Sequence, residues 1–324
     1  MKRFSDIAAV VCLLLAVGVT LLGMLTSRYG WPIYAELISH FQVQYFVATL
    51  ILTVIMLCLR RGRLALLLLF CSAVLSAQVV PWYLPSAAGT ENANYRVLAA
   101  NLNRNNNDAA RVLDWVRAEQ PDLALFMEVN EGMAEQLATL EDSLPYTSKQ
   151  KDAANLDMEI HSKLPLGDLQ LRKFGTESLN LTAQLQAVGQ PISLVAIHPL
   201  PPFEGEYFRD RNRLLSEVSD YVQAQSDPVL LLGDLNTTMW SPYYRSLIQQ
   251  SGLENTRNGR GILPTWPAKP IFGFPNSPEA LLKPLQIPID HCLVNPQLAV
   301  ADMHVGADIG SDHLPIVVDF SLQD

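Results

Sequence analysis

The sequence predicts an N-terminal all-α membrane region of three helices followed by one α/β or α+β domain whose sheets are covered by helices. Two observations predict it: long charge-free apolar runs confined to the start of the chain, and short strand-like runs alternating with amphipathic segments after them. A third, the polar residues that end those runs, points to function.

Ile7 to Thr26 carries no charge and has the roughly 20 residues that crossing a bilayer takes. Phe41 to Leu59 and Leu64 to Val80 are two further runs of near-spanning length, the third extending to Trp82 and Tyr83, which suit the headgroup boundary. A cleaved signal peptide explains the first run less well, because no small-residue cleavage pattern follows and two more apolar runs do. Buried helices of a soluble protein would keep a polar face. Lys2 and Arg3 precede the first span, and Arg60, Arg61 and Arg63 fill the loop between the second and third. The positive-inside rule therefore puts the N-terminus in the cytoplasm and, after three crossings, the rest outside it, periplasmic or extracellular. Residues 1–85 are thus read as the membrane region of a multi-pass inner-membrane protein, residues 86–93 as a small polar linker, and residues 94–324 as the second domain.

In that domain the expected strands are Tyr95–Leu102, Asp122–Phe126, Met158–His161, Leu179–Val188, Ile192–Ile197, Val229–Leu232, Ile287–Val294 and Leu314–Phe320. The expected helices are Asp108–Glu119 with Asp108 as N-cap, Gly132–Ser143, Tyr207–Gln225 and Pro242–Ser251. Cys292 is the lone cysteine here, so no disulfide within the domain assists the core. From residue 91 onward the chain has 17 Lys and Arg against 30 Asp and Glu, a net charge of −13. Duplex DNA is disfavoured as a partner, since phosphate neutralisation usually demands a basic face.

The apolar runs end on polar residues. Asn101 follows Val97 to Ala100, Glu128 follows Leu123 to Met127, and His198 follows Leu194 to Ile197. Asp234 and Asn236 follow Val229 to Leu232, Asp290 follows Ile287 to Ile289, and Asp312 with His313 precedes the last strand. Any one of these is ordinarily a turn former. Convergence of all of them is what a site built on strand ends requires.

The stretches RVLAANLN, QPDLALFMEV, LVAIHP, LLLGDLNTTMWSP, IDHCLVN and GSDHLPI resemble, in order, those of the endonuclease/exonuclease/phosphatase superfamily of magnesium-dependent phosphoesterases, over Tyr95 to Asp324. The resemblance implies a four-layer sandwich, two packed mixed β-sheets flanked by helices. It also implies a magnesium (or manganese) ion held mainly by Glu128, with Asn101 close by and Asp312 beside it. Asp234 then resembles the group that aligns and deprotonates the attacking water. Asn236 and His198 resemble donors to the phosphoryl oxygens, and Asp290 the carboxylate that orients His313. Hard oxygen ligands suit such an ion, and neutral or cationic donors suit the charge that grows on phosphorus. Asn103 stands where some family nucleases carry Asp, and Asp157 or Glu159 is a candidate to back His198, a solvated edge strand being the alternative.

Arg209, Arg211 and Trp266 are candidate substrate contacts, and the aromatic loop bearing Phe272 and Phe274 a candidate cleft border. An acidic domain tethered outside the membrane favours a lipid headgroup or another small phosphoester. An extracytoplasmic DNA or RNA nuclease is the alternative. A catalytically inactive binding module is disfavoured, since it need not retain Asp234, His313 and Asp290 together.

Overall fold

The computed structural model describes residues 2–29, 32–85, 93–148, 157–269 and 283–323. The chain opens with helix α1 (Lys2–Thr26), the short α2 (Ile33–Ile38), α3 (Gln42–Cys58) and α4 (Gly62–Val79). Ala9–Thr26, Ile33–Cys58 and Gly62–Tyr83 are long and apolar enough to cross a membrane, so helical turns carry the second apolar stretch back beyond the expected start at Phe41. Ala9, Ala16 and Ala65 pack with Met56 and Leu68 between the three helices, small side chains letting the backbones approach. The outward faces stay apolar: Leu14, Leu66 and Phe70 are each about two-thirds exposed. Water penalises so large an apolar surface, which suggests a membrane anchor.

The remainder places strands β1 (Tyr95–Asn101), β2 (Leu123–Met127), β3 (Tyr146–Thr147) and β4 (Met158–Ser162), with helices α5 (Ala109–Glu119) and α6 (Glu131–Leu137) between them. Then come β5 (Leu166–Lys173), β6 (Leu179–Leu185), β7 (Ile192–Ala196), α7 (Gly205–Gln223), β8 (Val229–Asp234) and α8 (Pro242–Ser251). The short β9 (Glu254–Asn255), β10 (Asp290–Val294), β11 (Leu298–Val305) and β12 (Ile316–Leu322) complete the order. Two six-stranded sheets result, ordered β11-β12-β1-β2-β4-β3 and β5-β6-β7-β8-β10-β9. Each has one parallel pair at its centre, β1 with β2 and β7 with β8, the other pairs being antiparallel.

Alternation along the central strands makes the layers. Val97 and Ala99 of β1 meet Leu230 and Leu232 of β8 in a core shared by both sheets. The opposite faces are apolar too: Leu98 and Ala100 pack under Val112 and Val116 of α5, and Val229 and Leu231 under Leu214, Leu215 and Val218 of α7. A strand covered on both sides has no polar face to show, which is why these runs read as continuously apolar. The architecture is therefore the expected four layers, helices outside two packed mixed sheets.

The N-terminal apolar helices are docked on this sandwich. Val79 and Trp82 join the apolar cluster under α7 and α8. Trp240 donates its indole N–H to the carbonyl of Gln78 at 2.8 Å, and Gly261 N–H donates to the carbonyl of Trp82 at 2.8 Å. Most of the expected linker, and both Phe272 and Phe274, lie outside the described residues.

Candidate active site

Both parallel pairs run toward the same end of the sandwich, and the polar strand ends meet there. β1 ends at Asn101 opposite Met127, the last residue of β2, so Glu128 emerges beside Asn101. Asp234, the last residue of β8, donates its backbone N–H to the sulfur of Met127 at 3.1 Å, which brings the two sheets' ends together. Gly233 permits this approach: a methyl there would stand 1.8 Å from the carbonyl oxygen of Ile197. The cleft has a volume of about 180 Å³ and is lined in part by Glu128, Asp234, Asn236, Trp266, Asp312 and His313. A larger cavity of about 570 Å³ lies between the end of α4 and α8 but brings no histidine and carboxylate together. Volume alone does not mark the site.

Three of the turns here use left-handed backbone on residues other than glycine: Asn103 (φ 60°), Glu128 (φ 54°) and Asn236 (φ 49°). Such conformations are unfavourable by about 1–3 kcal/mol each and persist only where surroundings over-determine them. Short polar side chains supply part of that determination by closing Asx turns. Asn101 Oδ1 accepts from the N–H of Asn103 at 3.0 Å, and Asp234 Oδ1 from the N–H of Asn236 at 2.8 Å.

Asp234 and Asp290 are direct cross-strand neighbours on β8 and β10. Like charges placed so are unfavourable, and both are buried. His313 relieves the pair. Its Nδ1 lies 2.9 Å from Asp290 Oδ2, and its Nε2 lies 3.7 Å from Asp234 Oδ2. Burial opposes a charged imidazole, yet Asp290 and Asp234 outweigh it and raise His313 to about 10. Burial also pushes up Asp290, but the charge and hydrogen bond of His313 hold its carboxyl below the usual range. Asp234 is left with burial and the Asp290 charge against it and rises to about 6. The three residues bring ligand atoms within 4.8 Å of one another, a spacing that would also admit a cation.

On the other wall Asn101 Nδ2 donates to Glu128 Oε1 at 3.0 Å and to Asp234 Oδ2 at 3.2 Å. Asp312 accepts from Asn103 Nδ2 at 2.6 Å and from the indole N–H of Trp266 at 3.4 Å. His198 Nε2 is buried without a hydrogen-bond partner, 3.8 Å from Glu128 Oε1 and 3.9 Å from Asp234 Oδ2. Its Nδ1 faces Asp157 at 3.8 Å, whereas Glu159 pairs with His161. Asn236 Nδ2 donates to the carbonyl of Pro199 at 2.9 Å. The donor set, carboxylate oxygens on one side and an unpartnered imidazole nitrogen aimed between them, fits a hard divalent cation and a bound oxyanion.

The structure thus brings together Asn101, Glu128, His198, Asp234, Asn236, Trp266, Asp290, Asp312 and His313. Arg211 is a correction: expected at the substrate phosphate, it is fully buried under the turn, its Nη2 3.2 Å from Glu36 and its Nη1 donating to the carbonyl of Asn236 at 2.9 Å. The apolar side of α7 carries it inward. Arg209 faces solvent and does not line the cleft. Leu37 and His40, from the first turns of the second apolar stretch, do line it and were not among the expected residues. Two ionisable residues four apart, Glu36 and His40, in a stretch otherwise almost free of charge were the available signal.

The sequence profile of the Endonuclease/Exonuclease/phosphatase family matches residues 98–313. Among solved structures, an endonuclease/exonuclease/phosphatase from Beutenbergia cavernae is 23% identical, with a TM-score of 0.51 over 71% of this chain and 72% of that one. TDP2 from D. rerio, complexed with a single-strand DNA product, is 17% identical, with a TM-score of 0.58 over 70% of this chain and 98% of that one. Beta toxin from Staphylococcus aureus is 15% identical, with a TM-score of 0.50 over 69% of this chain and 99% of that one. A search of curated proteins finds no match. With the profile spanning most of the sandwich and both of its sheets, the chain belongs to the endonuclease/exonuclease/phosphatase family and is a hydrolase of its phosphodiesterase and nuclease type.

Proposed function

We propose that the protein is an integral inner-membrane phosphoesterase that hydrolyses a membrane-borne phosphodiester, such as a lipid headgroup ester, on the outer side of the cytoplasmic membrane. The observation that carries the substrate reading is the composition of the cleft wall. Leu37 and His40 lie in the first turns of the apolar stretch Ile33–Cys58, so on this reading the reacting pocket opens close to the depth at which the chain enters lipid. Tyr34, Leu200, Phe203 and Leu285 are exposed, and Phe203 itself lines the cleft beside Pro201 and Pro202. Exposed aromatic and aliphatic side chains beside a membrane surface favour an amphiphilic substrate over a hydrated polyanion. The net charge of −13 from residue 91 onward points the same way.

Glu128 and Asp312, with Asn101 close by, are the residues that would hold a magnesium or manganese ion. Bound there, such an ion would offset charge on a phosphoryl oxygen in the transition state. Asp234, raised to about 6 and still ionised at neutral pH, takes the proton of the attacking water. His313, charged and fixed by Asp290, supplies a cationic donor beside Asp234. His198 Nε2, which has no hydrogen-bond partner, and the amide of Asn236, which lines the cleft, are the remaining groups we assign to the phosphoryl oxygens.

The test uses the full chain in lipid nanodiscs, with magnesium and with a chelator. The expected result is magnesium-dependent release of headgroup phosphoester from phospholipid vesicles, with plasmid and single-stranded DNA left intact. Cleavage of DNA without turnover of lipid would replace this reading by the nuclease one.

A further inference from the structure

The motif GDLNTTMWS continues past Asp234 and Asn236 into five residues that the hydrolytic site does not explain. They form the floor on which the membrane region sits. Glu36 is the sole carboxylate between Asp6 and Glu91. It is fully buried, and its Oε1 accepts from the Ser241 hydroxyl at 2.6 Å and the Thr237 hydroxyl at 3.4 Å. His40, one helical turn on, places Nδ1 2.9 Å from the Thr238 hydroxyl and Nε2 3.5 Å from Glu36 Oε2. Trp240 is held by Gln78 of α4. Arg211 closes the circuit, bound to Glu36 on one side and to the carbonyl of Asn236 on the other.

A fully buried ion pair gains little net stability over apolar side chains of the same volume, because both charges lose their hydration. Its value lies in direction: Arg211 offers fixed N–H donors, and Glu36 keeps them aimed. The carbonyl they hold belongs to Asn236, whose left-handed backbone needs outside support. Two residues before it is Asp234.

We propose that Glu36 is a positioning residue of the active site, acting through Arg211 on the carbonyl of Asn236, so that the membrane region itself sets the turn that carries Asp234 and Asn236. This rests on the proposed hydrolytic role of that turn. On this account the spans are part of the catalytic apparatus, and activity depends on the docked state of the first turns of the second.

The experiment compares the wild-type full chain in nanodiscs with Glu36→Leu/Arg211→Met, which removes both charges and leaves neither orphaned. The probes are bis(p-nitrophenyl) phosphate with magnesium, thermal unfolding, and amide hydrogen exchange of residues 235–241. The expected result is an unchanged unfolding midpoint, an unchanged KM and magnesium requirement, a kcat lower by about 10²-fold, and faster exchange across the turn. A kcat within about twofold of wild type, in a folded double variant, overturns the proposal. Should that variant fail to fold, Ser241→Ala removes the shorter of the two hydroxyl contacts joining Glu36 to the turn, together with the N-cap of α8, so it is read on a folded protein with its unfolding midpoint beside it. A kcat several-fold lower at unchanged KM then supports the proposal, and an unchanged kcat overturns it. If the wild type turns over no phosphodiester, the hydrolytic reading falls and exchange alone decides. Faster exchange in the variant supports the positioning role, and unaltered exchange removes it.

Discussion

Asp234 and Asp290 show why the chemistry of this site is a property of register and not of either residue. Facing one another across β8 and β10, two buried carboxylates would repel, and His313 between them settles the balance. His313→Gln should leave Asp234 with a weaker counter-charge, and we expect kcat to fall by about 10²–10⁴-fold in magnesium-supported phosphodiester hydrolysis. Asp290→Asn should lower kcat in the same assay without changing KM, since it disturbs the orientation and charge of the imidazole and the balance at Asp234, and not a group assigned to substrate binding. Buried histidine has a second use in the next residue, His291. Burial, with Arg257 beside it, holds this imidazole down to about 3, and its Nε2 donates to the carbonyl of Thr237 at 2.9 Å. The unfolded chain takes up a proton near 6.5, long before the folded one does. Stability should therefore fall as pH drops below about 6.5, by up to about 1.4 kcal/mol per unit, until about pH 3. Unfolding midpoints against pH, compared between wild type and His291→Gln, measure this. His313 has the opposite sign: its contribution is complete below 6.5 and fades as pH rises through about 10.

At the level of elements, the strands buried on both faces were legible because an uninterrupted apolar run of strand length leaves few alternatives. β2, β7 and β8 fall within a residue or two of expectation. Helix α5 was legible by its cap, Asp108 accepting from Arg111 N–H, and α8 keeps its expected bounds, with Ser241 accepting from Tyr243 N–H as a cap not among the expected ones. β5 and β11 were missed for a physical reason. Both are edge strands with a bulge, between Gly167 and Gln170 and between Val300 and Asp302, which breaks the two-residue period. The helix expected over Gly132–Ser143 tightens to a 3₁₀ turn after Leu137. The candidate site was legible where polar residues end strands, whereas Glu36 and His40 were not, because their partners lie some 200 residues away, as His40 and Thr238 do. Arg211 was assigned to the wrong face, since sequence gives the helix but not which side meets the turn. Gly233 offers the test at this scale. Gly233→Ala sets a methyl against the Ile197 carbonyl and should destabilise the fold by at least about 3 kcal/mol, as read by chemical denaturation.

For the whole molecule, two parts of the chain share one site. The sandwich supplies Asp234, Asp290 and His313, and the N-terminal apolar region supplies Leu37 and His40 to the wall and Glu36 to the floor. If that is the working unit, removal of residues 1–85 should depress kcat on a small diester far more than loss of a tether can explain, with the truncated chain's folding checked by its unfolding transition. The central claim is that residues from Asn101 to His313 form one metal-assisted hydrolytic centre around Asp234. Its most direct measurement is the magnesium-dependent turnover of bis(p-nitrophenyl) phosphate by wild type and Asp234→Asn in nanodiscs. The account predicts turnover that the chelator abolishes and that the substitution lowers by about 10³-fold or more at an unaltered unfolding midpoint. Equal turnover by the two proteins would contradict it.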